Sequence, residues 1–408
     1  MKIVYIIPGC FVSGGIAVIC QHANRLLHRG HDVYLITEKL ETSMDWFPNQ
    51  RVPVLRLNQY PDDVEILVAT VWATSFRIES LQAVRKFYFV QSDETRFHPQ
   101  NSIWYHLTAL SYLYDYHYIT EAKWIQAWLS HNFGHDACLV PNGLDSDIFY
   151  PCTPLVPKGN KPRILLEGAI GLPYKGMKEA FEAVASLDVE VWCVSSLGKP
   201  EPSWKCDRFF EQIPMTEMKS VYSSCDILLK LSRVEGFFGP PMEMMACGGT
   251  AVVGRVTGYD EYIVDGYNAL VVDPLDVSAA TEAVHRLIYD KSTYDLLVEN
   301  GKKTASEWPW EQSIDVLETH YAETLGKIDP PKLASVDTVD TNRSLSFLYY
   351  TFQGDINSDS KVVANLVTEN NAERLCRMLK HNRLFRLLAN VLAKIYQIIK
   401  GNKLQYKP

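Results

Sequence analysis

Residues 227–247 read ILLKLSRVEGFFGPPMEMMAC: an apolar run, a glycine-bearing loop and the opening of a helix. The head at 227–231 suits a buried strand, and Pro240 and Pro241 suit a first helical turn, where the N–H they lack has no partner anyway. A strand that feeds a helix through a glycine loop is the repeating unit of a parallel α/β sheet. Glu235 ends the loop and Glu243 sits near the helix N-terminus, so both carboxylates can face the carboxyl edge of the sheet. Open α/β domains bind ligands along that edge.

The same rhythm runs outward in both directions. Strands are predicted at 163–167, 189–195, 251–254 and 269–272, with helices at 177–186, 277–289 and 294–306. Towards the N-terminus, 2–7 reads as a strand, 8–15 as a glycine loop and 16–28 as a helix, followed by strands at 32–37, 66–71, 87–91, 117–120 and 137–140. Proline and lysine crowd 151–162, where periodicity vanishes, and the linker is placed there. A chain of 408 residues exceeds one hydrophobic core. The expected fold class is therefore α/β, with two Rossmann-like doubly wound parallel-sheet domains at 1–152 and 153–307 and a cleft between them. A helix at 308–330 and a helical extension at 331–408 complete the chain.

Apolar residues at 47% and charged residues at 22% are globular values. The nine cysteines show no C-x-x-C pair and read as reduced core thiols rather than a metal or disulfide framework. A net charge of −8 argues against nucleic acid as a partner, and it hides a basic tail: 374–408 carries nine Lys or Arg and no acid, leaving −17 elsewhere. No stretch has the roughly 18 apolar residues of a membrane span, and residues 1–7 lack a signal-peptide layout, so a cytoplasmic protein is expected. Residues 374–400 pattern as a basic amphipathic helix. It suits peripheral contact with the inner face of the plasma membrane, or packing on its own protein or on a second subunit as a dimer.

An ionised carboxylate only accepts hydrogen bonds, so Glu235 and Glu243 suit a ligand rich in hydroxyls. The amides of Gly236, Phe237, Phe238 and Gly239, at a helix start, suit an anion. A nucleotide-sugar satisfies both. The plainer alternative makes Glu243 a capping residue and Glu235 a solvated loop charge.

The surrounding residues resemble the retaining glycosyltransferases of family 4, which have the GT-B fold and an E-x7-E signature matching Glu235 and Glu243. The resemblance continues through Ala246-Cys-Gly248, Ala251-Val-Val253, Asp260-Glu261, Asp265-Gly-Tyr-Asn268 and Asp273-Pro274. Upstream it includes Gly14-Gly15, Arg29-Gly-His31, Pro141-Asn-Gly-Leu-Asp145 and Lys175-Gly176, covering roughly residues 1 to 325. It implies transfer of a hexose or deoxyhexose from a nucleoside-diphosphate sugar to a glycan or lipid-linked acceptor hydroxyl, with retention, in bacterial cell-surface polysaccharide synthesis. It also implies an acceptor side in the N-terminal domain, a donor side in the C-terminal domain, and a helix near 308–325 that crosses back to the first. Glu243 would bind the ribose and Glu235 the sugar, Lys175 would neutralise the diphosphate, and Gly14 and Gly15 would admit it. No cofactor and no metal are expected; the Asp145-Ser-Asp147 string falls in a turn and is not read as a metal site.

The chain departs from that pattern in three places. Ala169 stands where many relatives have an arginine six residues before the lysine, and Arg233 or Arg255 are the candidates to replace it. Phe238 occupies a usual glycine position. A histidine used by many relatives has no match, which leaves Gln91, Asp93 and Glu94 as polar candidates facing donor or acceptor. An inactive sugar-nucleotide-binding paralogue and a nicotinamide-dependent Rossmann oxidoreductase are the alternative functions. The glycines do not form G-x-G-x-x-G, which counts against the second.

Overall fold

The computed structural model describes residues 1–327, and the extension with its amphipathic segment at 374–400 lies outside them. In chain order the regular elements are β1 (Lys2–Ile7), α1 (Gly14–His28), β2 (Asp32–Thr37), β3 (Val54–Arg56), β4 (Ile66–Ala69), α2 (Trp72–Ile78), β5 (Arg85–Val90), α3 (Ile103–Ser111), β6 (His117–Thr120), α4 (Lys123–Phe133) and β7 (Cys138–Leu139). There follow β8 (Arg163–Glu167), α5 (Met177–Val184), β9 (Glu190–Ser195), β10 (Arg208–Glu211), α6 (Met215–Ser224), β11 (Ile227–Lys230), α7 (Gly239–Ala246), β12 (Thr250–Gly254), β13 (Leu270–Val272), α8 (Val277–Tyr289), α9 (Lys291–Ser306) and α10 (Trp310–Gly326).

The strands form two parallel sheets, ordered β3-β2-β1-β4-β5-β6-β7 and β10-β9-β8-β11-β12-β13. In each, the chain winds outward from one central strand, then returns to its other side and winds the opposite way. The reversal falls between β1 and β4 in the first sheet and between β8 and β11 in the second. At such a switch point the loops leaving two adjacent strands diverge to opposite faces and open a crevice at the carboxyl edge. Lys175 and Ala169 follow β8, and Glu235 follows β11, so the second crevice is flanked by the residues that the sequence singles out.

Strand interiors such as Ile3–Ile7 and Ile227–Leu229 are buried on both faces, as continuous Val, Ile and Leu runs require when helices cover a sheet on both sides. The two strands that the periodicity misses, β3 and β10, are short edge strands of half-exposed residues, where burial leaves little pattern in the sequence.

The final helix returns to the first sheet. Ile314, Leu317 and Tyr321 of α10 are buried in the same cluster as Ile3, Tyr5 and Phe87, and the Tyr321 and Tyr5 hydroxyls lie 3.2 Å apart. Arg29, the C-terminal cap of α1, clasps the outer face of α10 through Asp315 and Glu318, each at 2.7 Å. The helix begins at Trp310 rather than at the expected 308, because Pro309 is its cap and the Trp308 carbonyl is already taken by the Leu144 N–H at 2.6 Å. That bond ties together the two passages of chain between the sheets. Among the described residues no helix is long and apolar enough to cross a membrane.

Candidate functional site

Lys175 is delivered by a tight 3₁₀ turn, Pro173–Lys175, whose end at Gly176 has φ +63. A Cβ at Gly176 would lie 2.0 Å from the Leu231 carbonyl oxygen, so only glycine lets this turn close onto the end of β11. The turn thereby brings Lys175 to Glu235. Lys175 Nζ donates to both Glu235 carboxylate oxygens, at 2.9 and 2.8 Å, with 11% of the Glu235 side chain exposed. Burial alone would push this carboxyl up, but Lys175 and then Lys230 outweigh it and hold it below the usual carboxylate range.

Glu243 stands one helical turn into α7. Its Oε2 accepts from the buried Tyr222 hydroxyl at 2.8 Å, while its Oε1 lies 3.8 Å from where a Cβ on Gly239 would be. Burial pushes its carboxyl up to about 7, against the bond from Tyr222. One oxygen is thus anchored and the other faces Gly239, where the glycine loop ends and α7 begins.

Across the gap, α1 begins at Gly14 with no side-chain cap and no acid in its first turn. A Cβ on Gly14 would meet nothing within 4 Å, whereas one on Gly15 would lie 3.1 Å from Gln91 Oε1. That oxygen is buried without a partner among the described residues. The Gln91 main-chain oxygen reaches the other lobe: a Cβ on Gly236 would lie 1.8 Å from it. Gln91 therefore sits between the Gly14-Gly15 loop and the glutamate loop, at the join of the lobes.

The other polar candidates are employed elsewhere. Asp93 caps a 3₁₀ turn through the Thr95 N–H at 3.2 Å, and Glu94 is buried, accepting from the Trp72 N–H at 2.8 Å and the Tyr88 hydroxyl at 2.9 Å. Both serve the packing of the first lobe, since a polar residue just after a strand can as readily turn inward as face the edge. Arg233 is bound to Glu179 at 2.8 Å and to the Pro173 carbonyl, and Arg255 lies on the Tyr259 ring with a 2.9 Å bond to its hydroxyl. Neither is brought to Glu235 as a second cation. The Phe238 side chain is fully buried in the second core, so its contribution to the loop is its backbone. Asp145 accepts from Gln21 and Arg25, both at 3.2 Å, and acts as a tie between α1 and the crossing segment.

Two charged residues at the site escape sequence reading. Lys230, with 3% of its side chain exposed, lies 4.0 Å from Glu235 Oε1 and is bound to Glu167. Glu121, just after β6, reaches across the gap to accept from the Phe237 N–H at 2.9 Å, and its second oxygen accepts from Asn142 at 2.8 Å. One amide of the expected anion cradle is thus held by a carboxylate of the opposite lobe. A second, Gly239 N–H, donates to the Phe237 carbonyl at 3.1 Å. Further bonds cross the gap beside them. Trp124 Nε1 donates to the Gly236 carbonyl at 2.8 Å, Arg96 to Thr257 and the Arg233 carbonyl at 2.9 and 3.0 Å, and Glu261 accepts from the Lys123 N–H at 2.6 Å. The last supplies α4 with the N-terminal acceptor that its own cap, Ala122, lacks. The rule that found Glu235, a carboxylate after a strand at the carboxyl edge, applies equally to Glu121.

Residues 207–304, which hold both glutamates of the E-x7-E spacing, match the family model of the glycosyl transferases group 1. An uncharacterized glycosyltransferase of Methanocaldococcus jannaschii is 26% identical over 213 residues, 50% of this chain and 59% of that protein. An MMP alpha-(1->4)-mannosyltransferase of Mycolicibacterium hassiacum is 26% identical over 208 residues, 47% of this chain and 49% of that protein. The chain spans about half the length of these curated relatives. Among solved structures, Anabaena HepE in complex with UDP-glucose superposes with a TM-score of 0.63 and 15% identity, over 80% of this chain and 99% of that one. The fold is GT-B.

In this GT-B chain the inter-lobe carboxyl Glu121 is 4% exposed, and burial pushes it up to about 8, against the bonds from Asn142 and Phe237. The proton has a place to go: Asn142 Oδ1 is a buried acceptor without a partner among the described residues, and an amide flip turns it towards the carboxyl. Because the folded state holds this proton more tightly than the unfolded chain, the stabilisation is complete below about pH 4.5 and is lost as pH rises through about 8. The melting temperature is therefore expected to fall between pH 6 and pH 8.5. Glu121→Gln, which stays neutral, is expected to flatten part of that fall, on the order of a few kcal/mol at most. Equal slopes in the two proteins would show that Glu121 is ionised throughout.

Proposed function

We propose that the chain transfers a sugar, a hexose or deoxyhexose, from a nucleoside-diphosphate sugar to a hydroxyl of a glycan or lipid-linked acceptor, with retention at the anomeric carbon. The observation that carries this reading is the pairing of Lys175 with Glu235 at the switch point of the second sheet, in a loop that Gln91 links at Gly236 to Gly15 at the uncapped start of α1. The bond from the anomeric carbon to the diphosphate oxygen breaks with its electron pair, so negative charge grows on the leaving group. Lys175 meets it, together with the free amides of the glutamate loop and of Gly14 and Gly15. Glu235 accepts from hydroxyls of the transferred sugar and Glu243 Oε1 from the ribose. The acceptor hydroxyl forms the new bond to the same carbon and passes its proton to the departing diphosphate oxygen, which has taken the electron pair of the broken bond.

The names of the relatives support a sugar transfer, and the UDP-glucose in HepE supports this class of donor. Residues 374–400 would bring the enzyme to an anionic membrane surface carrying a lipid-linked acceptor, in assembly of a bacterial surface polysaccharide.

The test is a thermal-shift screen of the full chain with UDP, GDP, ADP and dTDP sugars, followed by an assay for release of the nucleoside diphosphate. One donor is expected to raise stability by about 2.7 kcal/mol at one hundred times its dissociation constant, and to be slowly hydrolysed. Stabilisation without release would favour the inactive binding protein, and no stabilisation by any of them would sink the reading.

A further inference from the structure

β11 is apolar from Ile227 to Leu229 and then ends in a lysine whose side chain is only 3% exposed. An ammonium group is not buried without recompense. Lys230 Nζ donates to the Glu167 carbonyl at 2.9 Å and to the Glu167 carboxylate, which ends the neighbouring strand β8. On its other side it stands 4.0 Å from Glu235 Oε1. The titratable groups that face Glu235 or Lys230 from the surrounding elements are Lys175 and Tyr174 in the 3₁₀ turn, Glu167 on β8, Glu243 on α7, Tyr262, and Glu121 from the opposite lobe, with the Ser232 hydroxyl also beside Glu235.

In the present arrangement Lys175 spends its ammonium on both oxygens of Glu235. On the reading proposed above, a donor diphosphate draws that same ammonium away. Without Lys230, Glu235 would then be left nearly buried with no counter-ion, and burial favours its neutral form, which donates a proton where the sugar needs an acceptor. Ala169 supplies no cation, and Arg233 and Arg255 are engaged with Glu179 and Tyr259. Lys230 is already in place, anchored in the sheet and unable to follow the diphosphate outward.

We propose that Lys230 is a positioning residue of the donor site, the resident counter-ion that keeps Glu235 ionised and oriented when Lys175 turns to the donor diphosphate. Glu167 holds Lys230 at the strand end in the meantime and yields part of it to Glu235 once Lys175 has left. This inference rests on the donor reading for its purpose, but the charge arrangement can be tested without a donor.

The experiment follows the carboxyl carbon of Glu235 by NMR through a pH titration of the full chain labelled with ¹³C-glutamate. The resonance is assigned by its loss in Glu235→Gln. Lys175→Met imitates the departure of Lys175. In that variant Glu235 is expected to remain ionised at pH 7, whereas in Lys175→Met/Lys230→Met its midpoint rises by about one pH unit or more, a tenfold change in the ratio of ionised to neutral carboxyl. Equal midpoints in the single and double variants would overturn the proposal. Should the double variant fail to fold, Glu167→Gln gives the answer from the other side. It releases Lys230 towards Glu235 and is expected to lower the midpoint, and an unchanged midpoint would overturn the proposal. A wild-type chain that releases no nucleoside diphosphate from any donor would instead count against the donor reading, leaving the titration result as it stands.

Discussion

Lys175→Ala is expected to lower kcat/KM for nucleoside diphosphate release by about 10²- to 10³-fold, the loss usual when one preorganised electrostatic contact to a developing charge is removed. The effect should fall mainly on kcat, because the charge that Lys175 meets grows as the glycosidic bond breaks and is smaller in the bound donor. Glu235→Ala is expected to lose at least as much. It removes the acceptor for the sugar hydroxyls and leaves Lys175 without the carboxylate that holds its ammonium in place at 2.8 Å. Because both groups act on one donor in the same transition state, their effects should not add in full, and the double variant is expected to be less impaired than the product of the two single losses. Fully additive losses would mean that the two groups act independently. Unchanged release in either single variant would remove that residue from the chemistry.

Gly236→Ala is expected to be among the most damaging exchanges of a single methyl group among the described residues. The added carbon would lie 1.8 Å from the Gln91 main-chain oxygen and 2.7 Å from Glu121 Oε1, both on the opposite lobe. A backbone oxygen cannot swing aside as a side chain can, so either the glutamate loop is displaced or the lobes part. Either response breaks the bonds from Trp124 to the Gly236 carbonyl and from the Phe237 N–H to Glu121. Displacement of about 1 Å at a reacting group costs on the order of 10² in rate, and that is the expected loss of turnover. Folding should survive, because each sheet keeps its own core, with the melting temperature falling by the equivalent of about 1–3 kcal/mol of overpacking. Turnover within threefold of the wild type would show that the lobes do not meet at Gly236 in the working enzyme.

How much of this is legible in the sequence follows from what each signal reports. Strands such as Lys2–Ile7 and Arg163–Glu167 declare themselves because both faces are buried, and such burial demands a continuous apolar run bounded by turns. The edge strands Val54–Arg56 and Arg208–Glu211 do not, since half-exposed residues carry no such run. At the site, Glu235 and Glu243 are found from their spacing around a glycine and proline turn, but nothing in a one-dimensional pattern says that Lys175, sixty positions away, is the partner of Glu235. That contact depends on β8 and β11 being neighbours at the switch point. Lys230 is visible as an odd lysine ending an apolar strand, and Glu121 as an acid at the end of β6. Their meaning appears only when a second strand or the second lobe is beside them. Asp93 and Glu94 illustrate the reverse case, polar residues in a promising position that spend their oxygens on local N–H and O–H groups.

The chemistry proposed for this chain requires that Lys175, Glu235 and Glu243 share a single ligand in the gap between the sheets. A crystal of the full chain grown with the nucleoside diphosphate of its best donor tests that directly. The diphosphate is expected within hydrogen-bond distance of Lys175 Nζ and beside Gly14, with Glu243 Oε1 on the ribose hydroxyls and the Lys175 bond to Glu235 opened. A nucleotide bound away from these three side chains, with that ion pair intact, would contradict it.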